Sequence, residues 1–398
     1  MEAKTEYKEQ LKVLDGNRAA AYGVMLCRPD VVCVYPITPQ TQLLETLYEL
    51  RSKGLLSAEM LEPESEHSSM SILRGASAAG ARTFTATAAQ GLMFMYEACI
   101  SVSTMRLPVV MVVVCRELTA PHGVTSGEQD AISARDAGWI QIHTESCQEI
   151  LDSIIMAYRL AESPDILVPV TICYDGYFLS HLWEQVHIPS IEAVQQFLPP
   201  LEMVPVVDPQ SPMIISPFLP PGGGTEYRYK HSAALQRAKT KYEIIDKAFQ
   251  EAFNRSYGGT IEQYKCEDAE IALITMGSCT GTARTVIDQK RDEGIKVGLI
   301  KVRMYRPFPK ERLLDALKGK KAIGVIDRNV CFGWNQGALS VDLKATAYEL
   351  RTFVPIINFI GGLCGADITK DHIAKAIDET NLVAQGNAFR EVMWLDLE

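Results

Sequence analysis

Nine consecutive residues, Leu107 to Cys115 (LPVVMVVVC), carry no polar side chain, and no other stretch restricts the chain's possible folds as much. A valine-rich run of that length suits a strand covered on both faces, because β-branched side chains pack well on a pleated surface. It is too short to cross a bilayer as a helix, which takes about 20 residues. A strand buried on both sides needs helices above and below its sheet.

The flanking sequence supplies them. Spacing predicts helices over Gly16–Cys27, Pro39–Gly54, Ser65–Gly80 and Ala88–Met105. Strands are expected at Val31–Val34, Arg82–Thr87, Leu107–Cys115, Gly138–His143 and Leu167–Cys173. In the second helix Leu43, Leu47 and Leu50 share one face, Thr38 is placed to cap it, and Pro39 suits its first turn. Ser146 to Glu149 reads as a capping box opening a further helix, with Ile150, Ile154 and Tyr158 on its inner face. The proline- and glycine-rich residues 198–225 break the alternation, and a long polar helix is expected over Tyr227–Phe253. A second series follows, with strands at Glu270–Met276, Val297–Val302, Ala322–Ile326 and Phe353–Ile360.

The chain's 398 residues, 47% of them hydrophobic, suffice for two cores. The expectation is an α/β fold of two domains, residues 1–255 and 260–398, each a mostly parallel sheet covered by helices. Ligands of such sheets bind beyond the carboxyl ends of the strands, and Thr38, Glu66 and Arg116 all stand close behind expected strands.

A formal charge of -10 argues against a nucleic-acid binder, and an anionic substrate then needs a local cation. The polar start MEAKTEYKEQ lacks a signal-peptide core, so a cytoplasmic chain without membrane attachment is expected. The ten cysteines stand singly, with no C-x-x-C. Buried thiols in a reducing compartment are expected, and no metal site.

Few short patterns carry chemistry. No P-loop, full G-x-G-x-x-G, G-x-S-x-G or H-E-x-x-H occurs. Gly277 to Gly281 follows a strand and opens a helix, which suits an anion cradle or simply a tight turn. His67 is expected on a helix face rather than on a metal. Glu62, Glu64 and Glu66 stand at a helix start, where the dipole favours carboxylates, although a buried one can also exchange a proton with a ligand. Arg116 is either a solvated strand end or the two-pronged partner of a substrate carboxylate.

Longer motifs bear on these alternatives. Tyr35–Thr41 (YPITPQT), Pro63–Ser69 (PESEHSS), Arg82–Leu92 (RTFTATAAQGL) and Arg135–Gln141 (RDAGWIQ) come in order, followed by TMGSCTGT and VRMYRPFP in the second half. Together they resemble the alpha subunit of the 2-oxoacid:ferredoxin oxidoreductases, of which pyruvate:ferredoxin oxidoreductase is the best-known member. The resemblance implies a thiamine diphosphate pyrimidine-type domain followed by a transketolase carboxyl-terminal-like domain. It implies oxidative decarboxylation of a 2-oxo acid to an acyl-coenzyme A, with electrons passed to ferredoxin or a similar acceptor. The cofactor would lie between this chain and a beta subunit that holds the diphosphate, Mg2+ and an iron–sulfur cluster. A gamma subunit and a ferredoxin-like cluster subunit would complete the assembly.

By the same resemblance Glu66 is the catalytic glutamate, hydrogen-bonded to the aminopyrimidine ring so that its imino form takes the thiazolium proton. Thr38 and Arg116 would hold the substrate carboxylate, the threonine through its hydroxyl. Tyr35 and Pro36 would line the pyrimidine end, with Thr87 and Gln90 also at the cofactor. The glycine turn at Gly277 would pack against other subunits.

One stretch departs from the family. After the arginine, relatives commonly carry bulky and acidic residues, whereas Glu117 to Asp130 (ELTAPHGVTSGEQD) has two glycines and small side chains. A wider pocket follows, and with it a substrate bulkier than pyruvate, such as the aromatic phenylglyoxylate. A thiamine enzyme of transketolase or dehydrogenase type would carry a G-D-G diphosphate–magnesium motif, which is absent. A non-catalytic scaffold subunit is the remaining alternative, and the retained glutamate and arginine speak against it.

Overall fold

The computed structural model describes residues 7–202, 206–350, 354–388 and 390–397. The first part of the chain runs β1 (Gln10–Leu14), α1 (Gly16–Cys27), β2 (Val31–Cys33), α2 (Thr41–Ser52), β3 (Glu59–Leu61) and α3 (Glu66–Ala78). It continues through β4 (Thr83–Thr87), α4 (Ala89–Phe94), α5 (Tyr96–Thr104), β5 (Val110–Cys115), α6 (Gln129–Ser133) and β6 (Ile140–His143). Next come α7 (Cys147–Ala161), β7 (Val170–Asp175), β8 (Glu184–Ile188), α8 (Ile191–Phe197) and the long α9 (Gly224–Phe253). The second part holds β9 (Ile261–Tyr264), β10 (Ile271–Thr275), α10 (Cys279–Asp292), β11 (Val297–Val302), β12 (Met304–Arg306) and α11 (Lys310–Leu317). It closes with β13 (Ala322–Asp327), α12 (Ala338–Ala347), β14 (Ile356–Ile360), α13 (Lys370–Ala384) and β15 (Val392–Trp394). Phe353, expected in β14, lies outside the described residues, as do 203–205 of the excursion.

Two layered sheets result. The first has the order β12-β6-β7-β5-β4-β2-β3, parallel except for β12. The valine-rich β5 sits inside it, fully buried. Alternation assigns Val110, Val112 and Val114 to the core under α1, α2 and α7, and Met111 and Val113 to the core under α3 and α5. The second sheet, β15-β14-β13-β10-β11-β9, is parallel except for β9. Helices α10 and α13 cover one of its faces, α11 and α12 the other. Each sheet is thus covered on both faces, the α/β architecture that continuous apolar strands require.

Four local expectations need correction. Thr38 does not cap α2, which begins at Thr41 after Gln40 and has no side-chain cap bond. The helix expected over Ala88–Met105 breaks at Met95 into α4 and α5. The capping box at Ser146 is half formed. Ser146 accepts from the Glu149 amide at 3.2 Å, but the Glu149 carboxylate turns instead to the Glu145 amide and to Lys301 and Arg303. Buried cations outcompete a main-chain N–H for a carboxylate. Finally, β12 follows β11 of the second sheet yet pairs with β6 of the first, so the strands do not segregate at residue 260.

That crossover is tied by buried charge. Glu149 Oε2 accepts from Lys301 Nζ at 2.7 Å, and Oε1 from Arg303 Nε at 2.5 Å, with all three side chains inaccessible. Arg303 also reaches the Gly259 carbonyl, Ser153 and the Tyr242 hydroxyl. Helix α9 contributes Tyr242 from a stripe of His231, Ala234, Ala238, Tyr242, Ile245 and Phe249, all buried at helical spacing.

Candidate active site

Strands β5, β4, β2 and β3 lie side by side, and the segments leaving their carboxyl ends carry Arg116, Thr87–Gln90, Tyr35–Gln40 and Glu62–Glu66. From β2 the chain goes to β3 on one side, then returns past β2 to β4 on the other. Loops leaving β2 and β4 therefore diverge and open a crevice, the usual ligand position in such sheets.

Glu66 is the first residue of α3. Ser65 caps that helix through a 3.2 Å bond from the Ser68 amide. Glu66 alone of the three clustered carboxylates is buried, while Glu62 and Glu64 are exposed. It lies against Gly91, where a Cβ would stand 2.5 Å from Glu66 Oε1 and 2.6 Å from Thr87 Oγ1. A side chain at residue 91 would collide with both, so glycine is what lets the glutamate and Thr87 face one space.

Arg116 is buried at the end of β5. It donates from Nη1 to the Thr38 carbonyl at 2.6 Å and from Nη2 to Gln90 Oε1 at 2.6 Å. Burial lowers its pKa below the usual arginine range, against the pull of Asp130. Thr38 thus meets the arginine through its main chain, not its hydroxyl, and its side chain is exposed. Tyr35 is half-buried and its carbonyl accepts from Gln40 Nε2 at 3.0 Å, whereas Pro36 is exposed. His67 sits outside the crevice beside Glu97 and Phe94.

Several buried polar atoms here have no hydrogen-bond partner among the described residues: Thr87 Oγ1, Gln90 Nε2, Arg116 Nε and Gln40 Oε1. Such atoms are costly unless a ligand or water meets them. They mark the crevice as built for a polar guest.

The segment after Arg116 divides in two. Residues 119–122 are exposed, but Ser126 to Asp130 are buried against the second domain. Arg328 donates to Ser126 Oγ at 2.7 Å and pairs with Asp175, Asn329 reaches Glu128 at 3.4 Å, and the Val330 amide donates to Gln129 Oε1 at 3.0 Å. Burial pushes the Glu128 carboxyl up to about 8. Gly127 is needed for packing, since a Cβ there would stand 2.7 Å from Glu117 Oε1. The turn at Gly277 holds a carboxylate of this same chain: the Ser278 amide donates to Asp175 Oδ2 at 2.9 Å. That contact lies within the chain.

Sequence reasoning missed three residues that shape the crevice. Gly91 carries no side chain to notice. Asn17, in α1, donates to the Pro39 carbonyl at 2.8 Å and accepts from the Tyr174 hydroxyl at 2.8 Å. Asp130 binds three main-chain amides, a role that leaves no motif.

Comparison with known proteins gives consistent matches. A family model described as pyruvate flavodoxin/ferredoxin oxidoreductase, thiamine diphosphate-binding, matches residues 22–247. One described as pyruvate:ferredoxin oxidoreductase core domain II matches residues 269–373. Pyruvate synthase subunit PorA of Methanosarcina barkeri is 41% identical over 393 residues, covering 98% of each chain. The alpha subunit of NADH-dependent phenylglyoxylate dehydrogenase of Aromatoleum evansii is 41% identical over 405 residues, covering 99% of this chain and 97% of that one. In fold, the chain resembles a solved 2-oxoglutarate:ferredoxin oxidoreductase from Magnetococcus marinus with a TM-score of 0.73 at 20% identity. That match covers 93% of this chain but 65% of the solved one.

Proposed function

Because this chain belongs to the pyruvate flavodoxin/ferredoxin oxidoreductase family, we propose that it is the alpha subunit of a complex that oxidatively decarboxylates a 2-oxo acid to an acyl-coenzyme A. The observation that carries this reading is the crevice itself. A buried glutamate, a buried arginine and unpartnered polar atoms stand beyond the carboxyl ends of four adjacent strands.

The residues fit the aminopyrimidine end of thiamine diphosphate. Glu66 offers a carboxylate beside a surface that Gly91 keeps clear, and Thr87 and Gln90 have polar atoms to spare. When bound, that cofactor supplies the nucleophile for the 2-oxo carbon and a sink for the electrons left by decarboxylation. Glu66 would hold and exchange a proton at a ring nitrogen. Arg116 would orient the substrate carboxylate, with its Nε unpartnered and its Nη2 on the exchangeable Gln90 oxygen. Tyr35 and Pro36 would border the ring.

Among the described residues no group of three or more His, Cys, Asp or Glu side chains is placed to hold a metal. The proposal assigns the diphosphate, Mg2+ and iron–sulfur clusters to beta, gamma and ferredoxin-like partners in the cytoplasm, as the family resemblance implies. No described helix is long and apolar enough to cross a membrane.

For the substrate we propose a 2-oxo acid bulkier than pyruvate, of the aryl type. The loop Thr119–His122 beside Arg116 is exposed and bears no aromatic side chain other than His122 to fill the space. Reduction of a low-potential dye by the co-purified complex with coenzyme A tests both levels, comparing pyruvate, 2-oxoisovalerate, 2-oxoglutarate and phenylglyoxylate. Preference for the aryl acid is expected. Pyruvate turned over best would sink the wide-pocket reading, and activity with none would sink the enzyme reading.

A further inference from the structure

We propose that Asp130 is a positioning residue that holds Arg116, the residue assigned to the substrate carboxylate, in register with Gln90. The inference rests on the role assigned to Arg116 above. The Asp130 side chain is fully buried, and its Oδ2 accepts from the Ala89 amide at 2.8 Å and the Arg116 amide at 3.1 Å. Its Oδ1 takes the Ala131 amide at 2.7 Å. One oxygen therefore joins the residue just before Gln90 to Arg116 itself, and the two side chains close the ring by their own 2.6 Å bond. Ala89 has φ 41°, a left-handed conformation that costs an alanine energy, and the Asp130 oxygen that accepts from its amide offsets part of that cost.

The ring is anchored from outside. Three of the four residues before Asp130, Ser126, Glu128 and Gln129, are held by Arg328, Asn329 and Val330, and the Glu128 amide itself donates to the Arg328 carbonyl at 3.3 Å. Contacts made by the second domain thus fix where Asp130 stands, and Asp130 fixes Arg116 through its main chain. The second domain takes part in substrate binding through this relay.

The test uses the assembled complex carrying Asp130→Ala or Asp130→Asn. Two readouts are taken: KM against kcat for the 2-oxo acid the wild type uses best, and modification of Arg116 by butane-2,3-dione mapped by mass spectrometry. In Asp130→Ala, KM rises roughly ten-fold or more while kcat changes less, and Arg116, protected in the wild type, becomes modified. Asp130→Asn keeps an oxygen for the shared bond but turns its NH2 towards the Ala131 amide, so KM falls between those of Asp130→Ala and the wild type, with Arg116 protected again. Wild-type KM and a protected Arg116 in Asp130→Ala would overturn the proposal. So would parallel loss of kcat, KM and melting temperature that Asp130→Asn fails to rescue. A wild-type complex inactive with every 2-oxo acid would refute the enzyme reading instead, and the Arg116 modification pattern would still decide the role of Asp130.

Discussion

Gln90 Oε1 accepts from Arg116 Nη2 at 2.6 Å, and that bond determines what the arginine can offer a ligand. Nη1 is committed to the Thr38 carbonyl, which leaves Nε unpartnered among the described residues. A carboxylate arriving at Nη2 displaces the Gln90 oxygen, and a charged acceptor is the stronger partner for a guanidinium. Gln90 then turns from partner of the arginine to donor, since its own Nε2 is unpartnered as well. The pair keeps Nη2 bonded until a substrate carboxylate takes the place of Gln90.

Replacing Glu66 by Gln removes the exchangeable proton but keeps the shape of the side chain. Turnover of the complex is expected to fall by about 10²–10⁴-fold, the range for loss of a general acid–base group. Circular dichroism and co-purification with the partner subunits should stay as in the wild type. Full activity in Glu66→Gln would instead identify the chain as a scaffold.

Gly91→Ala tests the same site through its shape. The added methyl would stand 2.5 Å from Glu66 Oε1, so the carboxylate or α4 must shift. Overpacking of this kind costs about 1–3 kcal/mol, which thermal melts would register as a modest drop. Activity should fall far more, on the order of 10²-fold, because a reacting group displaced by about 1 Å loses its alignment. A variant that melts lower but works normally would show that Glu66 does not need its present position.

The buried cluster of Glu149, Lys301 and Arg303 makes a prediction about stability. Burial pushes the Glu149 carboxyl up, but Lys301 and Arg303 outweigh it and hold the group down at about 2. In the unfolded chain the same carboxyl titrates near ~4.3. Its folded pKa is the lower one, so its contribution is full above the unfolded value and is lost as pH falls from ~4.3 towards 2. Glu149→Gln leaves the two buried cations only their more distant carboxylates, the nearest being Glu145 at 3.4 Å from Lys301 and Asp246 at 3.7 Å from Arg303, and should cost about 3 kcal/mol at neutral pH. Urea unfolding at neutral pH should show that loss, and the gap between variant and wild type should narrow in acid.

Sequence and structure agree best where an element is long and strongly patterned. Helix α1 and strand β11 have the residue bounds that apolar spacing suggests. The strands β1, β3, β8, β9, β12 and β15 went unseen, being three to five residues long with mixed polarity. Such strands are defined by a partner rather than by their own sequence. In the crevice, the residues named from motifs stand beyond neighbouring strand ends, but their contacts were not legible. Thr38 serves Arg116 with its carbonyl, an atom every residue has, so nothing in the side chain announced it. Glu149 fitted a capping pattern because the pattern is blind to Lys301 and Arg303, about 150 residues further on.

The crossing of β12 has a consequence for how the chain is made. Strand β6 borders the first sheet, and the strand that covers its open side is Met304–Arg306. On the ribosome the earlier strands emerge first, so the β6 edge stays bare until three of the six strands of the second sheet have been synthesised. Exposed edges of this kind recruit other nascent chains. A polypeptide cut at residue 260 would therefore be poorly soluble, and expression of the first half alone calls for extending it past Arg306.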